Sequence, residues 1–235
     1  MADLTHYIPI LTTAFACWFA PQLLGRWRKR RPAPHLFWWF LGVVTYAAGT
    51  VTESWTTLLG WHPGVFRAWY ITGALLGGAP LAQGTAYLLL SRRIANAVTV
   101  SLVSLIVVAS AGVLLSPIEM TLVEPHRLSG QVLTWTWVRM FSPFINTYSL
   151  LMLVGGALVS ADRFYHQSPN AAKVRGNVAI AVGALLPGIG GTATRFGHVE
   201  VLYVTELLGL VFIYLGYRLN TGASSVLLPT TVNAG

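Results

Sequence analysis

Seven apolar blocks alternate along the chain with short stretches rich in Arg, Lys, Pro and Gly. They cover residues 4–24, 36–59, 65–90, 94–116, 141–160, 176–196 and 199–217. Crossing the hydrocarbon core takes about 20 apolar residues, and an isolated segment can satisfy its backbone there only as a helix. Each block therefore predicts a spanning helix. The expected fold is all-α: a polytopic membrane helical bundle of about seven transmembrane helices, forming one domain over residues 1–219. Residues 220–235 lack helical periodicity and predict a disordered cytoplasmic tail. The first block is expected to be retained, because its basic cluster follows the apolar run, opposite to a cleavable signal.

Charge gives the predicted bundle a direction. Of 15 Lys and Arg, eleven fall on one side: Arg26, Arg28, Lys29, Arg30, Arg31, Arg92, Arg93, Arg163, Lys173, Arg175 and Arg218. Only Arg67, Arg127, Arg139 and Arg195 fall on the other, where Asp3, Glu119, Glu124 and Glu200 also lie. Positive loops stay cytoplasmic, so the N-terminus is expected outside and the C-terminus inside. Trp27, Trp38 and Trp39 near the inner surface, and Trp55, Trp61, Trp69, Trp135 and Trp137 near the outer one, fit anchoring belts at the two headgroup layers.

Composition agrees: 54% of residues are hydrophobic and 9% charged, against roughly 25% charged in soluble domains. The net charge of +8 is divided among short loops, which suits anionic lipid headgroups. Nucleic acid is not an expected partner, since tracking a phosphate backbone needs a continuous basic surface. Cys17 is the single cysteine, so neither an internal disulfide nor a cysteine metal site is available.

Candidate chemistry lies where polar groups enter the apolar blocks. Glu53 sits about seven residues inside the outer end of the second block, on the order of 10 Å deep, and Glu206 lies at similar depth in the seventh. Arg67, Arg139 and Arg195 cap the same half, so ion pairs such as Glu53 with Arg67 or Arg195 are expected either to lock helices together or to line an outward pocket. Tyr46, Gly49, Thr50, Glu53 and Thr57 share one helix face, too polar for lipid. Gly73 and Gly77 form a small-residue seam, Pro80 predicts a kink, and Gln83 needs a partner. Leu186 to Gly191 holds Pro187, Gly188, Gly190 and Gly191, and predicts a helix break at mid-membrane or, alternatively, a close-packing surface. The ligand-binding set expected from this pattern is Glu53, Arg67, Trp69, Gln83, Arg195, Tyr203 and Glu206. Thr134 to Trp137 alternates polar and aromatic residues, as a strand, a lid or an interfacial anchor would.

Several chemistries are disfavoured. No histidine lies at mid-membrane, which argues against a bis-histidine haem and against an intramembrane zinc hydrolase. Asp162 and His166 share a face at the end of the fifth block, where a solvated helix end is expected. Lys29 and Lys173 are the only lysines, both in loops, so no retinal Schiff base is expected. No nucleophile–base set is evident, and the chain is not expected to be an enzyme.

Pro21-Gln22 resembles the paired motif of PQ-loop transporters, although the second copy usual in that family is missing near the inner end of the fifth block. Arg67-Ala68-Trp69-Tyr70 through Arg92-Arg93, and Arg175-Gly176-Asn177 through Arg195-Phe196-Gly197, resemble uncharacterised bacterial seven-helix integral membrane proteins. That resemblance implies a fold and a bacterial inner membrane, and a more distant one is to seven-helix input domains of sensor kinases. The readings left open are a receptor-like small-molecule-binding module, a small-molecule or ion transporter, and an accessory subunit with protein partners.

Overall fold

The computed structural model describes residues 4–125, 127–167 and 169–222, without the side chains of Leu4 and Arg195. It is helical throughout, with two isolated backbone bridges as the only extended pairing among the described residues. A 3-10 turn at Leu4–Tyr7 leads into α1 (Ile8–Lys29). Pro9 starts α1, where a missing N–H costs nothing, and Arg26, Arg28 and Lys29 occupy its last turn, where cations favour the helix dipole. Next comes α2 (Pro34–Leu59), which also starts on proline and stops at Gly60, whose φ of 84° suits a residue without Cβ.

The third apolar block is not one helix. α3 (Pro63–Trp69) runs into a π-helical turn at Tyr70–Leu75, the chain then loosens, and α4 (Ala79–Leu89) begins with Pro80 in its first turn. Gly73 faces α2: a Cβ on Gly49 would lie 3.2 Å from Gly73 Cα. α5 (Arg92–Leu115) is capped by Ser91, and exposes Val100, Val103, Val107, Val108 and Leu115, as a lipid-facing helix should. The following loop buries Val132 and Leu133 against Phe66, Tyr70 and Val113. Thr134 to Trp137 does not form a strand. Trp135 and Trp137 stack at 5.9 Å and remain exposed, with α6 (Thr136–Arg139) starting between them.

α7 (Phe141–Leu150), a π-helical turn at Leu151–Gly155 and α8 (Gly156–His166) form one continuous rod. α9 (Ala171–Arg195) and α10 (Val199–Gly222) complete the chain. α10 includes Asn220, Thr221 and Gly222, which the sequence had put in the tail, and residues 223–235 lie outside the described residues. Among the described residues, five helices are long and apolar enough to cross a membrane: Thr5–Lys29, Arg92–Leu115, Thr136–His166, Ala171–Thr194 and Val199–Gly222. This is a multi-pass membrane architecture.

The expected break at Pro187, Gly188, Gly190 and Gly191 does not occur, because α9 runs through it. The reason is its packing on α10. Pro187 leaves the Gly183 carbonyl without its helical donor, and the Gly209 backbone covers that carbonyl. A Cβ on Gly209 would fall 2.7 Å from Gly183 O and 3.0 Å from Pro187 Cδ. Gly176 meets Gly216 in the same way, and Gly190 meets Leu202 and Thr205, so glycines seven apart form one antiparallel seam. Small residues here permit backbone contact and carbonyl shielding by Cα–H groups. Gly188 and Gly191 face open space.

Gly209→Ala should therefore lower stability by about 1–3 kcal/mol through overpacking, whereas Gly188→Ala should be neutral or stabilising by up to about 1 kcal/mol through helix propensity. Thermal unfolding of both variants in detergent checks this. Equal melting temperatures would contradict the seam.

Candidate functional site

The polar face of α2 turns inward as its spacing predicts. Tyr46, Thr50 and Glu53 are buried, while Val51, Trp55 and Leu58 on the other side are exposed. Glu53 is 4% exposed and accepts a hydrogen bond at 3.0 Å from Trp69 Nε1, at the end of α3. Across the bundle, the Glu206 carboxyl of α10 comes within hydrogen-bonding reach of the Glu53 carboxyl. The Oε2 atoms of both are buried and have no hydrogen-bond partner among the described groups. The two form a buried carboxyl dyad, and such a pair can share a hydrogen bond only when one member carries a proton.

A polar collar fixes this dyad. Tyr46 Oη donates to the Glu206 main-chain carbonyl at 3.0 Å, and Thr13 and Thr50 meet at 2.8 Å between α1 and α2. Tyr203 lies one turn before Glu206 and is buried, its ring edge-on to His6 at 5.8 Å. Thr57 Oγ1 donates to the His6 carbonyl at 3.1 Å. The turn Leu4–Tyr7 thus lies across this end of α2 and α10 and covers the dyad.

Of the expected ligand-binding set, Glu53, Trp69, Tyr203 and Glu206 assemble here. Arg67 does not. It lies two residues from Trp69 on a helix, and positions i and i+2 point apart. Its Nη2 instead donates to the Ser116 carbonyl at 3.1 Å, at the C-terminus of α5, where a cation complements the helix dipole. Gln83 is also elsewhere, fully buried between α4, α5 and α7. It donates to Ala95 O at 3.0 Å and Thr99 Oγ1 at 2.6 Å, and accepts from Tyr148 Oη at 2.7 Å. Gly84 abuts Trp39, so Gln83 lies near that level of α2, roughly 20 Å along the axis from Glu53. The side chain of Arg195 lies outside the described residues. The ion pairs among the described residues are Arg127–Glu124 at 2.9 Å and His166–Asp162 at 3.0 Å, neither inside the bundle. Near the first of these, hydrogen bonds from the Thr121 hydroxyl and backbone N–H hold the exposed Glu119 carboxyl below its usual range.

A second candidate space lies at the opposite end. A cavity of about 480 Å³ opens among α1, α2, α4, α8, α9 and α10. Leu23, Val43, Leu81, Leu153 and Ile213 wall it, with Trp39 and Tyr217 as aromatic sides. Its mouth carries Ser160, Arg163, Gln167, Asn177, Asn220 and Thr221. Asn177 Nδ2 donates to Lys173 O at 2.9 Å and to Asn220 Oδ1 at 3.3 Å, bridging α9 and α10 at the rim. A buried layer of Ala16, Ala20, Ala47 and Leu210 packs with Tyr46 and Val43 between dyad and cavity. Seven residues of α10 separate Glu206 from Ile213, roughly 10 Å.

Sequence reasoning missed this cavity. Leu and Val walls look the same whether they face each other or a void. The available signal was Asn177 and Asn220, two amides at the basic ends of apolar helices. Comparison with protein-family models and with curated proteins finds no match for the chain.

The dyad makes a sharp expectation about substitution. Glu53→Gln keeps an acceptor for Trp69 and supplies an N–H toward Glu206, so it should leave stability nearly unchanged. Glu53→Ala orphans both the Trp69 N–H and the Glu206 carboxyl and should cost about 1–3 kcal/mol per buried group left unpaired. Chemical denaturation in mixed micelles reads both. Equal losses for Gln and Ala would refute the shared proton.

Proposed function

We propose that this chain is a seven-span protein of a bacterial inner membrane that binds a small molecule in the cavity at its basic end, as a receptor-like module. The five strongly apolar helices are joined in this reading by α2, 26 residues long, and by the interrupted α3–α4 rod. α2 falls short in apolarity because Glu53 and its run of Thr and Ser turn inward, where polar groups are tolerated. Eleven of the 15 basic residues gather at the end where α1, α4, α8 and α10 finish, so that end is assigned to the cytoplasm and the N-terminus to the outside. Arg26 and Arg218 also flank a shallow apolar groove there, suited to anionic headgroups.

The observation that carries the reading is the cavity: apolar walls, a few convergent polar groups, and a volume within the roughly 300–1,000 Å³ typical of small-molecule sites. The pocket expected at the outer end is thereby reassigned to the inner one. A transporter is the second reading, favoured by the dyad beyond the cavity floor, since carboxyls within a bundle commonly mark proton paths. Native mass spectrometry of gently extracted protein tests the first. A small-molecule adduct is expected on the wild type and not on Ala157→Trp, which fills the cavity from α8. A bare wild-type mass, or an adduct retained by the filled variant, would overturn it.

A further inference from the structure

The cavity has a chemical direction, which names the class of its occupant; the inference rests on the binding role proposed above. Its floor and walls are hydrocarbon, and from Leu153 to Arg163 they extend ten residues along one rod, roughly 15 Å. Apart from Trp39 and Thr85, whose hydroxyl donates to Leu81 O at 3.3 Å, the polar lining groups gather toward one extremity, at the aqueous end of the helices. A compact polar ligand would leave most of this wall unfilled, and a pure hydrocarbon would leave the rim unused. The shape matches a single chain with a head at the mouth.

The sign of that head follows from the residues around it. Arg163 lines the mouth, and its guanidinium has no hydrogen bond or ion pair to a described residue. A second cation is close to the lining: the Lys173 ammonium lies 4.6 Å from the ring of Phe164, another lining residue. The one acid at this end, Asp162, lies one position from Arg163 on its helix and is engaged with His166 at 3.0 Å. Thus no carboxylate among the cavity-lining residues competes for the guanidinium. Gln167 adds a neutral amide, whereas the Ser160 hydroxyl donates to Gly156 O at 2.8 Å and Asn177 Nδ2 to Lys173 O and Asn220 Oδ1. A planar guanidinium with an amide neighbour is suited to phosphate or carboxylate oxygens.

We infer that the site takes a single-chain amphiphile with an anionic head, its tail against Leu81, Leu153 and Ile213 and its head at Arg163. Such a molecule enters from the inner leaflet or the cytoplasm with its head already at the membrane surface, where the basic loops concentrate anions.

The test uses the full chain in phosphatidylcholine nanodiscs, titrated with decyl phosphate, decyltrimethylammonium, decanol and inorganic phosphate, and followed by thermal unfolding and native mass spectrometry. Decyl phosphate should bind at least tenfold tighter than the cationic or neutral chains, and inorganic phosphate should neither bind measurably nor compete. Arg163→Gln should abolish the preference among the three chains, while Ala157→Trp should abolish binding of all three. If the three chains bind wild type equally, the anionic head is wrong and the binding role stands. If none binds while the purified protein still carries an adduct that Ala157→Trp removes, the amphiphile is wrong and the cavity is not. Inorganic phosphate binding on its own would point to a free anion and overturn the proposal. Binding of decyl phosphate unaffected by Arg163→Gln would do so too. Circular dichroism of each variant confirms that the helices remain.

Discussion

A carboxyl group inside an apolar bundle needs a hydrogen-bond partner: Glu53 accepts one from Trp69 Nε1 and lies within reach of the Glu206 carboxyl. Their contact spans α2 and α10, which are far apart in sequence, and it holds only if those helices stay in register. Trp69 adds α3 and Tyr46 adds a second α2–α10 tie, while the turn at Leu4–Tyr7 closes over the pair. One end of the bundle is thereby gathered by directional bonds in a medium where losing any of them exposes a polar group to hydrocarbon. The glycine contacts run the length of α9 and α10, and toward the other end Gln83 ties α4 to α5 and α7 while Asn177 ties α9 to α10. The apolar cavity lies at that basic end and the carboxyl pair at the other.

The helical blocks, their order and the inward face of α2 were legible in the sequence because apolar length and 3.6-residue spacing decide them directly. The pairing of Glu53 with Glu206 was legible only as a shared depth. What the sequence suggested in its place was an ion pair with Arg67, which fails because Trp69, two residues on, uses the face that points to Glu53. Gln83 looked like a pocket group and is a fully bonded strut between α4, α5 and α7, roughly 20 Å away. The proline and glycines of α9 looked like a break. Whether such a run unwinds depends on what covers the freed Gly183 carbonyl, and that partner, Gly209, is contributed by another helix.

The cavity was illegible for the same reason. A void is a failure of distant side chains to meet, so it leaves no mark on any one segment. Its mouth did leave one, in Asn177, Asn220 and Arg163, residues that read as ordinary helix ends when taken singly. A binding role and a transport role use these parts differently. In the first, the dyad is a rigid closure and the cavity alone exchanges with its surroundings. In the second, the Ala16–Leu210 layer would have to open and connect the two.

Thiol accessibility measures the asymmetry most directly. In a Cys17→Ser background, a membrane-impermeant maleimide would be applied to oriented vesicles from each side against Ser160→Cys, at the cavity, and Thr50→Cys, beside the dyad. The account predicts labelling of Ser160→Cys from the cytoplasmic side alone, and none of Thr50→Cys from either side until the protein is denatured. Labelling of Thr50→Cys from outside, with Ser160→Cys protected, would contradict it.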